Sequence, residues 1–264
     1  METSRDWIEK GARFGHFTKG VLYGLMGALA LQVALGTGGE VAGSREAARL
    51  IEHQPLGAVL LLLMAVGFAA YAGWRCVVAI KDSERKGGDA KGLSQRAGAL
   101  LTGLINAALA VALVQIALGR PAGRSDGARS WVGQVLAQPF GAALVAAVGA
   151  GIVIAALIQF HRAYSKKFLR DFRWQAMSRE QRRWVSHLGQ AGYAARAVVF
   201  CIIGVGLVRA ALERDPGETR GVREALLDIA HSGAGQISLG VVALGFLAFG
   251  SFLIASARYR HIAC

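Results

Sequence analysis

Ala12-Arg13-Phe14-Gly15, Gly20-Val21-Leu22-Tyr23-Gly24 and Gln32-Val33-Ala34-Leu35-Gly36 punctuate one apolar stretch near the N-terminus, and the same marks return twice along the chain. A shift of 83 residues brings Arg96, Gly98, Gly103, Asn106, Gln115, Ala117, Leu118 and Gly119 onto Arg13, Gly15, Gly20, Tyr23, Gln32, Ala34, Leu35 and Gly36. A shift of 177 brings Gly192, Phe200, Gly204, Ala211 and Leu212 onto Gly15, Tyr23, Gly27, Ala34 and Leu35. A second apolar stretch follows each copy. There Gln54-Pro55-Leu56-Gly57 matches Gln138-Pro139-Phe140-Gly141, and Gly67 matches Gly151 and Gly245. A unit repeated in this way buries its faces against its neighbours, so the repeat governs the architecture. The three copies run over 12–81, 95–165 and 189–258.

Hydrophobic residues make up 54% of the chain and fall into six blocks, near 15–36, 56–80, 96–119, 140–163, 190–212 and 235–257. Each block supplies the roughly 20 residues that a helix needs to cross about 30 Å of hydrocarbon. Period-2 alternation is absent, which argues against a β-barrel. Helices satisfy their own backbone hydrogen bonds in lipid. The expected fold is therefore an all-α integral membrane protein: six transmembrane helices as three parallel two-helix repeats, forming a single domain over 1–264. The first block has the basic flank and the Ala28-Leu29-Ala30 sequence of a cleavable signal peptide. Its counterparts at 96–119 and 190–212 lie inside the chain, so retention is expected.

The net charge of +13 is distributed unevenly. One side of the membrane receives the N-terminus, the second and fourth connections and the C-terminus. With helix ends counted, that side holds 21 of the 30 Lys and Arg and 8 of the 17 Asp and Glu. The other side is neutral. By the positive-inside rule both termini are expected in the cytoplasm. No recognisable binding module accompanies the charge, so nucleic acid is not an expected partner. Cys76, Cys201 and Cys264 have no CxxC-like spacing and read as packing residues.

Between its two long helices each repeat carries a short amphipathic piece: Glu46 to Ile51, Trp131 to Ala137 and Arg223 to Ile229. These are too short to span and suit helices lying at the membrane interface. Pro55 and Pro139 are expected in the first turn of the helix that follows. Gly20-x-x-x-Gly24, Ala69-x-x-x-Gly73 and Gly151-x-x-x-Ala155 fit the small-residue spacing of close helix contacts. In the connector 161–187, aromatic residues at Phe160, Tyr164, Phe168 and Phe172 recur every four residues. Arg162, Lys166, Lys167, Arg170 and Arg173 lie between them. That pattern predicts a basic amphipathic extension of the fourth span, resting on anionic inner-leaflet headgroups. Ser178 with Gln181 predicts a capping box that opens the fifth span.

The run Ala12-Arg13-x-Gly15-x-x-x-x-Gly20-Val21-x-Tyr23 resembles a bacterial membrane family of six helices in three repeats. Pro55-x-Gly57, Gly67-Phe68-Ala69-Ala70-Tyr71, Trp74-Arg75 and Ala257-Arg258-Tyr259-Arg260 carry the same resemblance. The family is catalogued as domain of unknown function twelve-oh-six. The likeness covers essentially the whole chain. The middle repeat departs from it, with Asn106 in place of Tyr or Phe and Gln159 in place of Arg75. The resemblance implies the fold and the bacterial inner membrane, and it brings no established activity.

The chemistry is sparse. No Asp or Glu lies well inside a span, which disfavours coupling to protons or sodium through buried carboxylates. Paired carboxylates, metal-ligand spacings, nucleophile elbows and phosphate loops are missing from the sequence. Neither a metal nor a cofactor is expected, with haem through His16 or His161 kept as an alternative. Lys19 and Tyr23 share one helix face, and their counterparts are Thr102 with Asn106 and Arg196 with Phe200. Tyr71 and Arg75 approach the same leaflet from the second span. Surrounding an axis, Lys19, Tyr23, Tyr71, Arg75, Thr102, Asn106 and Arg196 would line a positively charged cavity. Asn106 would need a partner, for which the Tyr23 hydroxyl is a candidate. Snorkelling of Lys19, Arg75 and Arg196 to the headgroups is the plainer expectation.

The leading functional expectation is a non-catalytic inner-membrane protein, associated with lipid or serving as an accessory subunit of a membrane complex. Its partners would be membrane lipids, and possible membrane-protein partners come next. The first alternative is a small-solute transporter or channel with a pseudo-threefold cavity. A cofactor-binding membrane protein is the second.

Overall fold

A computed structural model describes residues 2–82, 87–120 and 127–260, and Cys264 lies outside them. Among the described residues there are nine α-helices and two short 3-10 stretches in the connector. Six helices are long and apolar enough to cross a membrane. They are α1 (Glu2–Ala34), α3 (Gly57–Lys81), α4 (Ala90–Ala117), α6 (Gly141–Ser165), α7 (Arg179–Glu213) and α9 (Gly235–Tyr259). Between the members of each pair lie the short helices α2 (Ser44–Glu52), α5 (Gly127–Leu136) and α8 (Val222–Ala230). The protein is thus an all-α membrane protein of three two-helix repeats.

Packing follows chain order around a ring. Helix α1 packs on α3, α3 on α4, α6 on α7, α7 on α9, and α9 back on α1. One link is missing: α4 and α6, the two helices of the second repeat, make no substantial contact among the described residues.

Hydrogen bonds at the helix ends fix this cyclic order. The last carbonyls of an α-helix have no partner within it, and cations or amides near them are favourable. Arg13 on α1 donates to the carbonyls of Ala257 and Arg258 at 2.7 Å, near the end of α9. Its counterpart Arg96 on α4 donates to Ala79 at 2.7 Å and Ile80 at 3.1 Å, near the end of α3. The same position of α7 carries Gln190, which donates to Ala163 at 3.2 Å near the end of α6. Ala257, Ala79 and Ala163 are themselves equivalent in the repeat. Each first helix therefore ties off the second helix of the preceding copy, with the first copy closing on the third. Glu9 holds the Arg13 guanidinium at 2.7 Å.

Backbone proximity supports the same interfaces. A methyl group placed on Gly20 would lie 2.8 Å from the Gly250 carbonyl, and one on Gly204 would lie 2.9 Å from the Gly149 carbonyl. Such contacts bring α1 to α9 and α7 to α6. Gly73 and Gly151, from the other two small-residue motifs, have open space beside them. Gly57, Gly141 and Gly235 each begin a long helix under the last carbonyls of the preceding short helix, where a side chain would collide with Ile51, Val135 or Ala230. Leu56 and Phe140 just before two of them are left-handed, with φ 63° at both. Pro55 and Pro139 therefore belong to the turn and not to the helical first turn.

The half of the ring nearest the short helices is filled. Leu22, Met26, Leu61, Leu113 and Phe246 meet there beneath α2 and α8, whose Ala47, Ala48, Leu226 and Ala225 are fully buried. Helix α5 stays at the periphery, its Trp131 69% exposed.

The connector differs from the expected amphipathic extension. Helix α6 ends at Ser165 on a left-handed Lys166, and short 3-10 turns follow at Lys167–Asp171 and Trp174–Ala176. That reversal turns Phe168 and Phe172 inward against Tyr193, Phe249 and Phe252, so neither is a membrane-surface residue. Phe160 and Tyr164 remain outside, as do Arg162, Lys166, Lys167 and Arg173. The Arg170 side chain lies outside the described residues. Ser178 and Gln181 form the reciprocal capping box at 3.2 Å and 3.0 Å.

Substitution at a close approach should register directly. Gly20→Leu and Gly204→Leu are expected to destabilise by ~1–3 kcal/mol, as overpacking does. Gly73→Leu, beside open space, should stay within about 0.5 kcal/mol of wild type. Thermal unfolding in detergent distinguishes the two classes.

Candidate functional site

The first and third repeats build the same cluster from equivalent positions. In the first, His16 meets Tyr71 edge-on at 5.1 Å and Trp74 at 5.8 Å, and the Lys19 ammonium sits 4.2 Å from the centre of the Tyr71 ring. In the third, Tyr193 replaces His16 and meets Phe249 at 5.4 Å and Phe252 at 5.7 Å. Arg196 replaces Lys19 and lies 4.5 Å from the centre of Phe249. The repeat thus carries one design twice, a cation from the first helix laid on an aromatic ring of the second. Such a contact is worth about 0.5–2 kcal/mol, more as water is withdrawn.

The second repeat has lost this cluster. Its corresponding residues are Ala99, Thr102, Ala155 and Ile158, with neither ring nor cation. The glycines that let the paired helices approach have not changed. A methyl group on Gly15 would lie 2.5 Å from Tyr71 Cβ, and one on Gly192 would lie 2.6 Å from Phe249 Cβ. Gly98, the equivalent residue of the second repeat, faces open space, and so does Gly151 opposite it.

Of the predicted stripe, the structure brings Lys19, Tyr23, Tyr71, Arg75 and Arg196 into one region. Arg196 lies 5.3 Å from the Tyr23 ring and 5.0 Å from Phe200, which places it between α1, α7 and α9. Arg75 lies 5.5 Å from the Trp74 ring, and its Cβ sits beside Gly103 of α4. Among the described residues no carboxylate pairs with Lys19, Arg75 or Arg196. The buried Nε atoms of Arg75 and Arg196 and both ring nitrogens of His16 have no hydrogen-bond partner.

Thr102 and Asn106 do not join this set by hydrogen bonding. Thr102 donates to the Gly98 carbonyl at 2.7 Å, and the buried Asn106 amide donates to the Thr102 carbonyl at 2.6 Å. Asn106 finds its partner within its own helix and not at the Tyr23 hydroxyl. Gln159, standing where the first repeat has Arg75, is buried with its Oε1 unpaired. His16 is enclosed, whereas His161 is exposed at the end of α6, 3.2 Å from the Lys167 ammonium. Among the described residues no group of three or more His, Cys, Asp or Glu could hold a metal ion. Sequence reading missed Trp74, Tyr193, Phe249 and Phe252 as cluster members. Laying the second helices over one another at Gly67 and Gly245 would have found them.

Three cyclic repeats, six long apolar helices and one cluster built twice define a triplicated six-helix membrane protein. The sequence model of Domain of Unknown Function DUF1206 matches this chain three times, over residues 14–82, 97–166 and 191–260, and the chain belongs to that family. It is also similar to the uncharacterised protein YxxB of Bacillus subtilis (strain 168), with 31% identity over 261 residues, covering 99% of this chain and 94% of that one. No solved structure matches it.

A cation kept for a ligand differs from one kept for stability. Arg13→Met, which strips the α9 carbonyls of their donor, should cost about 1.5–3 kcal/mol, the range for hydrogen bonds to charged groups. Lys19→Met should be neutral or stabilising, because it replaces a half-buried charge that no carboxylate pairs with by an apolar chain of similar volume. Parallel melting curves of the two variants decide the matter.

Proposed function

We propose that the chain is a non-catalytic integral protein of the bacterial inner membrane that associates with lipid, with both termini in the cytoplasm. The observation that carries this reading is the make-up of the face bearing the chain ends. There Arg162, Lys166, Lys167 and Arg173 are exposed beside Phe160 and the 87% exposed Tyr164, next to helices whose outer faces are apolar. Exposed cations at this level attract anionic headgroups, each contributing about 1 kcal/mol near a charged leaflet. Aromatic rings with a polar tip favour the same depth.

The charge asymmetry of the sequence supports cytoplasmic termini, since positively charged connections are the ones retained there. Transport is the weaker reading. A solute crossing the ring would have to pass Leu22, Met26, Leu61, Leu113 and Phe246, which are buried and packed together. An enzymatic role finds no support in this arrangement, in which no carboxylate among the described residues pairs with the cations.

Two measurements test the proposal. Reporter fusions at either end should be active only in cytoplasmic mode, and a periplasmic signal from either would refute the orientation. Protein excised with its native bilayer in polymer discs should carry more anionic lipid than the bulk membrane. Replacing Arg162, Lys166, Lys167 and Arg173 together by Gln should lower that enrichment by about half or more, in line with electrostatic attraction. An unenriched lipid shell around the wild type would refute lipid association.

A further inference from the structure

We infer that a single anionic phospholipid reaches Lys19, Arg75 and Arg196 from the side, passing between α4 and α6. The inference rests on the lipid-associated reading above and names an interior site for it. Lys19 from α1 lies over the Tyr71 ring, Arg75 from α3 lies beside the Trp74 ring, and Arg196 from α7 lies over Tyr23 and Phe249, all within an apolar bundle. A buried charge without a counter-charge is costly, and aromatic faces compensate only part of that cost. Phosphate oxygens would supply the missing part, since they accept hydrogen bonds from guanidinium and ammonium together. The unpartnered Nε atoms of Arg75 and Arg196 belong to these same cations, and His16 beside them is 2% exposed with both nitrogens free of partners.

The second repeat decides how such a ligand arrives. Its two helices are the one adjacent pair left unpacked, and Gly98 and Gly151 look onto open space where the other repeats are in contact. No ring and no cation close this seam, because Thr102, Ala155 and Ile158 stand in the places of Lys19, Tyr71 and Trp74. Leu101, Leu104 and Ile105 on α4, with Ile154, Leu157 and Ile158 on α6, are exposed apolar side chains of the two helices. Towards the short helices the packed core blocks further passage. An anion open only to water would need no apolar side entrance, so the seam selects a lipid over free phosphate.

The test uses the full chain in mild detergent, with phosphatidylglycerol, phosphatidylcholine and inorganic phosphate as probes and native mass spectrometry as the readout. Wild type should keep one phosphatidylglycerol per chain through delipidation, in preference to phosphatidylcholine. The triple variant Lys19→Gln, Arg75→Gln, Arg196→Gln should keep at least about tenfold less, as expected for loss of charge-assisted phosphate bonds. Ala155→Phe, which restores the ring of the third repeat inside the seam, should also reduce retention. The connector variant Arg162→Gln, Lys166→Gln, Lys167→Gln should retain the lipid. Should the triple variant fail to fold, Lys19→Met against Lys19→Arg gives the same comparison, with loss expected only in the first.

Undiminished binding by the charge variants overturns the site. Displacement by millimolar phosphate assigns it to a free anion and overturns entry by lipid, as does undiminished retention in Ala155→Phe. Loss confined to the connector variant overturns the interior site while leaving surface association with lipid standing. Absence of anionic lipid from every sample overturns both readings.

Discussion

Hydrocarbon offers no hydrogen bonds, so the carbonyls at the end of each crossing helix need a donor from the protein or must reach water. This chain meets that need on a cycle. The first helix of each repeat reaches across to the second helix of the copy before it, through Arg13, Arg96 and Gln190. The bonds are long-range in sequence for Arg13, which spans from the first helix to the last. They set which helix neighbours which, and the glycine contacts at Gly20 with Gly250 and Gly149 with Gly204 then bring those neighbours close. Everything distinctive about the interior follows from this order, because it aims the first-helix cations of the first and third repeats inward.

Within that frame the second repeat behaves differently from its siblings. It keeps the glycines and the helix-end donor, yet loses the cation, the paired ring and the contact between its own helices. These losses belong together. In the other repeats the ring of the second helix lies over the glycine of the first, and the first-helix cation lies over the ring. Remove the ring, as Ala155 does, and the first-helix glycine loses the side chain that covers it in the other two repeats. Helix α5 follows the same trend, staying exposed where α2 and α8 are buried in the core.

Much of the fold was legible from spacing alone. The shifts of 83 and 177 residues located the repeats, and six apolar blocks of sufficient length located the spans. The open seam was not legible, because Gly98 and Gly151 are the residues that a packed seam would also carry. The connector misled for a related reason. Aromatic residues every four positions describe one face of a helix, and they equally describe a chain that reverses at Lys166 and tucks two rings inside. Periodicity reports which residues share an environment, and it does not say whether that environment is lipid or core. Asn106 was read as seeking a partner across helices, but a side-chain amide can satisfy itself on the carbonyl four residues back. Of the candidate stripe, the residues with long cationic or aromatic side chains assembled, and the two short polar ones stayed on their own helix.

That no carboxylate among the described residues pairs with Lys19, Arg75 or Arg196 also bears on how the cations persist. An ion pair inside the bundle would have neutralised Lys19 or Arg196 and removed their pull on any other anion. Aromatic faces act otherwise. They lower the cost of the charge without cancelling it. Tyr71, Trp74, Tyr23 and Phe249 therefore hold positive charge in place and keep it available. An interior built only for stability has no need of cation and ring at these positions, as the second repeat shows with the uncharged Thr102 and Ala155. Keeping cation and ring in the first and third repeats while dispensing with both in the second is thus a division of labour. The first and third copies hold charge, and the second leaves the way in.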